Sequence, residues 1–349
     1  MIGAFPPPVQ GMAVINHAVA GLLAEKAREV EIINVSSGTL ARGLRYHWVR
    51  LRRTIHGMGR ILRADNANPP SVYMSLSGGL GQAYELLFML AARMKRFRIT
   101  LHHHSYAYLS RRRLITRLVI AISPAGTQHV ALSTGMANCL SRLYGVSNSY
   151  VLSNAAFLQD ISASSTQARP LAKLGFLSNI SKEKGIFDFI SLVDACLESG
   201  LDVHAVVAGP FQDPETESIV MPLLEERDAI HYLGPQYGEA KTDFFRSIDV
   251  LVFPTRYANE AEPVTIHESL MQGVPVIAYG RGAIPEILDG AHGVSIPAEQ
   301  EFVPHALNAL KRWKEMGTAF SSVRHEALVQ FRNIRFKALL SLDDLLEAI

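Results

Sequence analysis

Cysteine is nearly missing from this chain of 349 residues, with only Cys139 and Cys196 present. Two thiols so far apart cannot build a disulfide framework or a zinc cluster, and they read as buried thiols in a reducing cytoplasm. Long apolar runs are missing too. "YELLFMLAA" (Tyr84–Ala92) and "LVIAI" (Leu118–Ile122) are core-sized, well short of the ~18–20 residues that span a bilayer. No signal-peptide pattern precedes "MIGAF", which reads as a strand from its first residue. It is short for a first central strand, which leaves open whether the natural start lies upstream. The chain also lacks a G-x-G-x-x-G fingerprint.

What is present describes a soluble globular protein: 48 % hydrophobic residues, 19 % charged, and enough length for two domains with separate cores. The net charge of +2 conceals a division. Residues 1–165 hold 18 Lys/Arg against 6 Asp/Glu, and residues 166–349 hold 16 against 26. The halves read as separate units, the first of which meets something anionic.

Short β-rich runs alternate with helix-length amphipathic stretches throughout. In the first half the strands are "MIGAF", "EIINV", "VYMSL", "RITLHHH", "HVALS" and "YVLSN"; in the second they are "AKLGFLS", "VHAVVAG", "IHYLG", "DVLVFPT", "PVIAYG" and "GVSIP". This alternation predicts an α/β protein with two Rossmann-like, doubly wound parallel sheets in tandem. The domains are expected over 1–157 and 171–330, joined by a polar linker at 158–170, with a terminal helix over 331–349 packing back on the first. Ligands of such sheets bind at the carboxyl ends of the strands, so the site is expected in a cleft between the domains.

Several loops fall at those ends. Gly11 precedes the first helix, where it would let backbone approach a phosphate or simply make a tight turn. "ITLHHHSYAYL" sends His102 and His104 to one side of a strand and His103 to the other. No nearby carboxylate or Cys completes a metal set, and the imidazoles read either as structural hydrogen-bonding groups or as polar groups at a reaction centre. "LSNISKEKGIFDFI" puts Lys184 and Gly185 where a loop turns into a helix, a place for an anion partner or for an ordinary helix-start lysine. In "NEAEPVTIHESLMQGVPVIA", Glu260 lies in a loop and Glu268 on the helix that begins near Pro263. The free amides around Val264 and Thr265 could take phosphate oxygens, while Glu268 could accept from a ribose diol.

This last stretch resembles the E-x7-E region of the retaining glycosyltransferases of family four, the glycosyl transferases group 1 type with the GT-B fold. "FLSNISKEKG", "AVVAGP", "IHYLGPQYGEAKTDFFRSIDVLVFPT", "FPPPVQGMAVIN" and "VLSNA" resemble further segments of that family in the same order, so the likeness covers nearly the whole chain. The resemblance implies that Glu268 binds the ribose of a nucleotide-sugar and Glu260 the transferred sugar. Lys184 would bind the diphosphate, helped by the Gly11 loop and the backbone of Val264 and Thr265. His102, taken as the first residue after its strand, would lie near the sugar and the acceptor, with His104 beside it. Two positions depart from the family. Ala261, Glu262 and Pro263 stand where Gly-Phe-Gly is usual, removing one donor and adding negative charge near the diphosphate. Asn179 stands where an Arg is common, so one cation is missing from the donor site.

The reaction implied is sugar transfer to a hydroxyl with retention, with no cofactor beyond the nucleoside diphosphate sugar as co-substrate. No metal is expected, since no D-x-D follows an apolar strand. The basic, amphipathic stretch "HWVRLRRTIHGMGRILR" (His47–Arg63), with "RMKRFR" and "SRRRLITR", reads as an interfacial surface. It would attach the protein peripherally to an anionic inner membrane leaflet, where a lipid-linked or oligosaccharide acceptor is met during polysaccharide or glycolipid synthesis. The alternatives are a non-catalytic glycosyltransferase-like subunit of a membrane assembly and a GT-B sugar-nucleotide epimerase. Nucleic-acid binding is not expected, because the basic clusters lack interleaved aromatics.

Overall fold

Strands that are apolar on both faces need cover on both sides. All twelve expected strands form, and central ones such as Val72–Leu76, Ile99–His103 and Val250–Phe253 are buried along their whole length, while Ser149–Val151 and Gly293–Pro297 at the sheet edges are partly exposed. The computed structural model describes residues 1–7, 11–26, 29–38, 44–64, 71–158 and 170–348. Two compact units are defined by their internal contacts: Met1–Phe157 with Ala258–Glu262 and Lys337–Ile349, and Leu158–Tyr257 with Pro263–Phe336. The expected linker lies, over 159–169, outside the described residues.

In the first unit the strands are β1 (Ile2–Gly3), β2 (Ile33–Asn34), β3 (Val72–Leu76), β4 (Ile99–His103), β5 (Gln128–Ala131) and β6 (Ser149–Val151). They form one parallel sheet in the order β2-β1-β3-β4-β5-β6. Its helices are α1 (Gly11–Glu25), α2 (Leu44–Arg63), α3 (Gln82–Met94), α4 (Leu114–Ile122) and α5 (Thr134–Tyr144). The core gathers Met74, Leu76, Phe88, Met89 and Leu101, each 1 % exposed or less. Burial of each such side chain contributes about 1.5–3 kcal/mol.

The second unit has β7 (Lys173–Leu177), β8 (His204–Ala208), β9 (Ile230–Tyr232), β10 (Val250–Phe253), β11 (Val276–Gly280) and β12 (Gly293–Pro297). They lie parallel in the order β12-β11-β10-β7-β8-β9. Around them are α6 (Ile186–Glu198), α7 (Pro214–Glu225), α8 (Gly238–Ser247), α9 (Val264–Met271), α10 (Ile284–Ile287), α11 (Phe302–Glu315) and the long α12 (Phe320–Ala348). Strand order reverses between β7 and β10 here and between β1 and β3 in the first unit, and such switch points are where open α/β sheets hold ligands.

One buried ion pair lies away from the switch points. Asp249, at the start of β10, accepts from the backbone N–H groups of Ala172 and Lys173 and pairs with buried Arg324 of α12 at 3.4 Å. That pair serves packing. Residues 258–262 were expected inside the second domain, yet their contacts belong to the first unit, where Ala261 enters the core.

Candidate functional site

At the switch point of the second unit, the loop after β7 meets the loop after β10. Gly185 caps α6 with φ +85°, and a Cβ there would lie 2.2 Å from the carbonyl oxygen of Pro254. Only glycine allows both the left-handed backbone and the approach. That contact brings Lys184 beside the end of β10. Its Nζ lies 4.7 Å from the centre of the Tyr257 ring and 5.8 Å from that of Phe253, within cation–π reach. Arg256 donates its backbone N–H to Glu183 O at 2.8 Å. Its guanidinium covers the Tyr279 ring at 4.5 Å, donates to the Tyr279 hydroxyl and lies 3.6 Å from Asp188. Burial raises the Asp188 carboxyl, and the Arg256 charge opposes the rise. Asn179, at the end of β7, is partly buried.

The helix α9 starts at Pro263 in extended conformation (φ −68°, ψ 118°), so Val264 and Thr265 occupy its first turn, where N–H groups have no intrahelical acceptor. One turn on, Glu268 meets Lys241 Nζ of α8 at 2.5 Å, with both side chains largely covered. Lys241 and Arg256 escaped the sequence reading. Each is one polar residue in an ordinary amphipathic or loop context, and only folding brings it to the strand ends.

The first unit builds its end of β4 from uncharged groups. The strand runs through His103, so His102 is inside it and fully buried, and the first residue after it is His104. This corrects the placement of His102 as the first residue after its strand: the β3 pairing Ser75↔His102 and Leu76↔His103 keeps it inside the ladder, and the strand ends at His103, one residue short of the expected "RITLHHH". His102 Nδ1 meets the Tyr73 hydroxyl. His103 uses both nitrogens, 3.0 Å from Tyr108 Oη and 3.0 Å from His129 Nδ1. The His102 and His104 rings lie 3.9 Å apart, and the Nε2 of each is buried without a hydrogen-bond partner among the described residues. His104 as a residue is partly exposed; its Nε2 is not. Burial holds His104 down to about 3 and His129 down to about 4. Burial first, then neighbouring imidazoles, keeps His102 and His103 well below the ordinary value. All four are neutral at pH 7. Burial likewise pushes Glu85 up to about 6, against two bonds from Ser77 N–H at 3.0 and 3.1 Å.

The segment carrying Glu260 is bound on either side of that residue. Ser105 Oγ donates to Asn259 Oδ1 at 2.8 Å, and a Cβ on Gly78 would lie 1.9 Å from the same oxygen. Glu262 is 6 % exposed, accepts from Ser153 Oγ and Asn154 N at 2.6 Å each, and its carbonyl accepts from Asn154 Nδ2 at 2.9 Å. The expectation of extra negative charge beside a diphosphate is therefore corrected: these partners absorb the Glu262 carboxylate inside the first unit. Gly11 opens α1 and is exposed; residues 8–10 before it lie outside the described residues. Near the ends of β1 and β2 is a mostly apolar cavity of 470 Å³ lined by Phe5, Pro6, His17, Ile32 and Asn34. Among the described residues, no group of three or more His, Cys, Asp or Glu side chains is arranged to hold a metal ion.

Residues 172–312 match the family described as Glycosyl transferases group 1. Over those residues the second unit is similar to group 1 glycosyltransferases, as the sequence resemblance implied, and the two Rossmann-like units share the GT-B fold. Among solved structures, HepE of Anabaena in complex with UDP is similar with a TM-score of 0.65 at 14 % identity, covering 98 % of each chain. Sucrose-phosphate synthase from Thermosynechococcus elongatus is similar with a TM-score of 0.70 at 13 % identity, over 100 % of this chain and 99 % of the other. A glycosyltransferase from Rickettsia africae is similar with a TM-score of 0.68 at 15 % identity, over 99 % and 96 %. A search of curated proteins finds no match.

Proposed function

We propose that this protein is a retaining, metal-independent glycosyltransferase that moves a sugar from a nucleoside diphosphate sugar to a hydroxyl acceptor. The observation that carries this reading is the positive charge held at the second unit's switch point, Lys184 and Arg256, together with the α9 N-terminus and Glu268 on the same helix. Charge develops on the diphosphate as the glycosidic bond breaks, and preset cations and amide dipoles meet it without reorganising. Arg256 supplies the second cation that Asn179 does not. Glu268 accepts the ribose hydroxyls while Lys241 holds its carboxylate in place, and Glu260 accepts from the transferred sugar. HepE, similar in fold, was solved with UDP and with UDP-glucose, which favours a nucleoside diphosphate sugar here.

On the acceptor side, the partly exposed His104 offers a neutral imidazole that does not attract an anion, and the buried His102 packs behind it and orients it. The cavity beside β1 and β2 suits an apolar part of the acceptor. A lipid-linked acceptor at an anionic inner leaflet is favoured by α2. Its exposed Leu44, Trp48, Leu51, Ile55 and Leu62 fall within roughly 60° of arc on a helix of 3.6 residues per turn, with Arg45, Arg52 and Arg63 along one border. Ile61, Thr54 and Gly57 face inward instead. Among the described residues no helix is long and apolar enough to cross a membrane, so the attachment proposed is peripheral.

The test is titration calorimetry with UDP-, GDP- and ADP-sugars on wild type and Glu268→Ala. One nucleotide-sugar is expected to bind wild type and to weaken on the order of tenfold or more in the variant, the loss of charge-assisted hydrogen bonds. No binding at millimolar concentration would overturn the reading.

A further inference from the structure

At the opposite end of β4 from the histidines, roughly 16 Å away at 3.3 Å per residue, a second cavity of 390 Å³ opens. Arg93, Arg96 and Arg98 line it from the α3–β4 connection, and the turn Pro124–Thr127 closes it ahead of β5. We infer that this cavity binds the phosphate group of an anionic phospholipid, a reading that rests on the membrane attachment proposed above.

The strongest sign is the backbone of Arg96. The end of α3 is a Schellman turn, with Arg96 N–H donating to Arg93 O and Phe97 N–H to Ala92 O, both at 3.0 Å. The residue after the helix cap in such a turn takes left-handed geometry, and glycine is its usual occupant. Here φ is +58° at an arginine, the one non-glycine residue with positive φ among the described residues. An L side chain is strained there, and this one lines the cavity. Arg93 is preset in another way: its guanidinium donates to Ile122 O at 2.6 Å and Ser123 O at 3.4 Å, at the carbonyl end of α4. The remaining guanidinium donors keep the planar fork that suits phosphate oxygens.

Charge balance points the same way. No Asp or Glu occurs between Glu85 and Asp160, a stretch that supplies every residue lining this cavity. The surroundings favour a lipid over a soluble phosphate ester. The last turns of α3 expose Leu90 and Met94, and α4 exposes Leu118, four residues before the carbonyl that Arg93 holds. A phosphate seated among the arginines would lay its glycerol and acyl carbons against such side chains.

The experiment is vesicle co-sedimentation of the full chain, with phosphatidylcholine vesicles lacking or containing phosphatidylglycerol. Wild type is compared with Arg96→Gly, Arg98→Ala and Arg117→Ala, the last an exposed arginine of α4 outside the cavity. Diffuse attraction costs about fivefold per arginine lost. A built site predicts about fivefold for Arg117→Ala and on the order of tenfold or more for Arg96→Gly and Arg98→Ala. The Tm of Arg96→Gly should hold or rise, since glycine is at ease in that geometry. Equal losses at Arg96 and Arg117 would overturn the cavity while leaving membrane attachment intact. Failure of wild type to prefer phosphatidylglycerol vesicles would overturn both. Glycerol phosphate bound in solution by wild type but not by Arg96→Gly, with vesicles ignored, would assign the cavity to a soluble ester and overturn the lipid.

Discussion

At the end of β4 three imidazoles and two phenols share hydrogen bonds in the dry interior of the first unit, a fourth imidazole, His104, packs against His102, and every imidazole is neutral. At the ends of β7 and β10 in the second unit, the polar side chains are ionic and half-covered: Lys184 against aromatic rings, Arg256 with Asp188, Glu268 with Lys241. Desolvation does the work in the first case, by removing charge from groups that carry part of one in water. In the second, opposite charges offset one another's desolvation, so that a full charge survives where it is needed. Under the proposed reaction, the neutral end would suit a hydroxyl acceptor and the charged end a diphosphate.

The comparison breaks most visibly if the charged end is disturbed. Lys184→Ala is expected to lower kcat/KM for the bound donor by about 10²–10³-fold, the usual cost of one electrostatic contact to a leaving group. Steady-state kinetics with the donor identified by calorimetry measures it. A change under tenfold would show that Lys184 is a surface lysine at a helix start.

The neutral end should reveal itself through acid. A histidine whose folded pKa is lowered leaves the unfolded chain binding more protons below about 6.5, so stability is lost as pH falls from 6.5 towards the folded value. For His129, down to about 4, the loss reaches roughly 3 kcal/mol by the lower pH. The histidines beside it act in the same direction. Thermal unfolding followed from pH 7 to pH 4 should show the first unit melting earlier with acid, and His129→Phe should reduce the slope. A pH-independent Tm for that unit would contradict the burial of the imidazoles.

A third test concerns Glu262, a charge placed in the first unit's interior. Glu262→Gln removes charge-assisted bonds to Ser153 and Asn154 and is expected to destabilise the protein by about 1.5–3 kcal/mol. Donor affinity should change little. A variant of unaltered Tm whose donor binding tightens would return Glu262 to the diphosphate.

The smallest effect has the opposite pH sign. Glu85 is raised to about 6 from 4.5, so the folded state holds its proton more tightly; its contribution is full below pH 4.5 and is lost as pH rises through 6. That amounts to about 2 kcal/mol, partly cancelling the histidine trend over the same window. Glu85→Gln should steepen the net acid lability between pH 4.5 and 6, as read from denaturant unfolding; an unchanged slope would remove Glu85 from the account.

Much of this architecture was legible in the chain. Strands such as "DVLVFPT" and "HAVVA" are apolar enough to need burial on both faces, and their alternation with helices allows few topologies. The E-x7-E spacing placed Glu260 in a loop and Glu268 on a helix. Its partner Lys241 was not legible, because nothing in "GEAKTDFF" says which polar residue of an amphipathic helix will meet α9. Glu262 was misread for a related reason. A carboxylate beside a proposed anion site looks repulsive until its partners Ser153 and Asn154, more than a hundred residues earlier, are seen to donate to it. The histidine triplet was read correctly by alternation, with His102 and His104 together and His103 apart, but His102, taken as the first residue after the strand, lies inside it.

By itself, then, the sequence determined the twelve strands, the two parallel sheets, the opposed charges of the two halves and the family resemblance, because periodicity, composition and local motifs are properties of neighbours along the chain. Only the tertiary structure decided which charges are paired, which imidazoles are neutral, where Glu262 turns and that three arginines line one cavity. Those depend on distances between residues far apart in sequence and on how much water remains around them, and no local pattern records either.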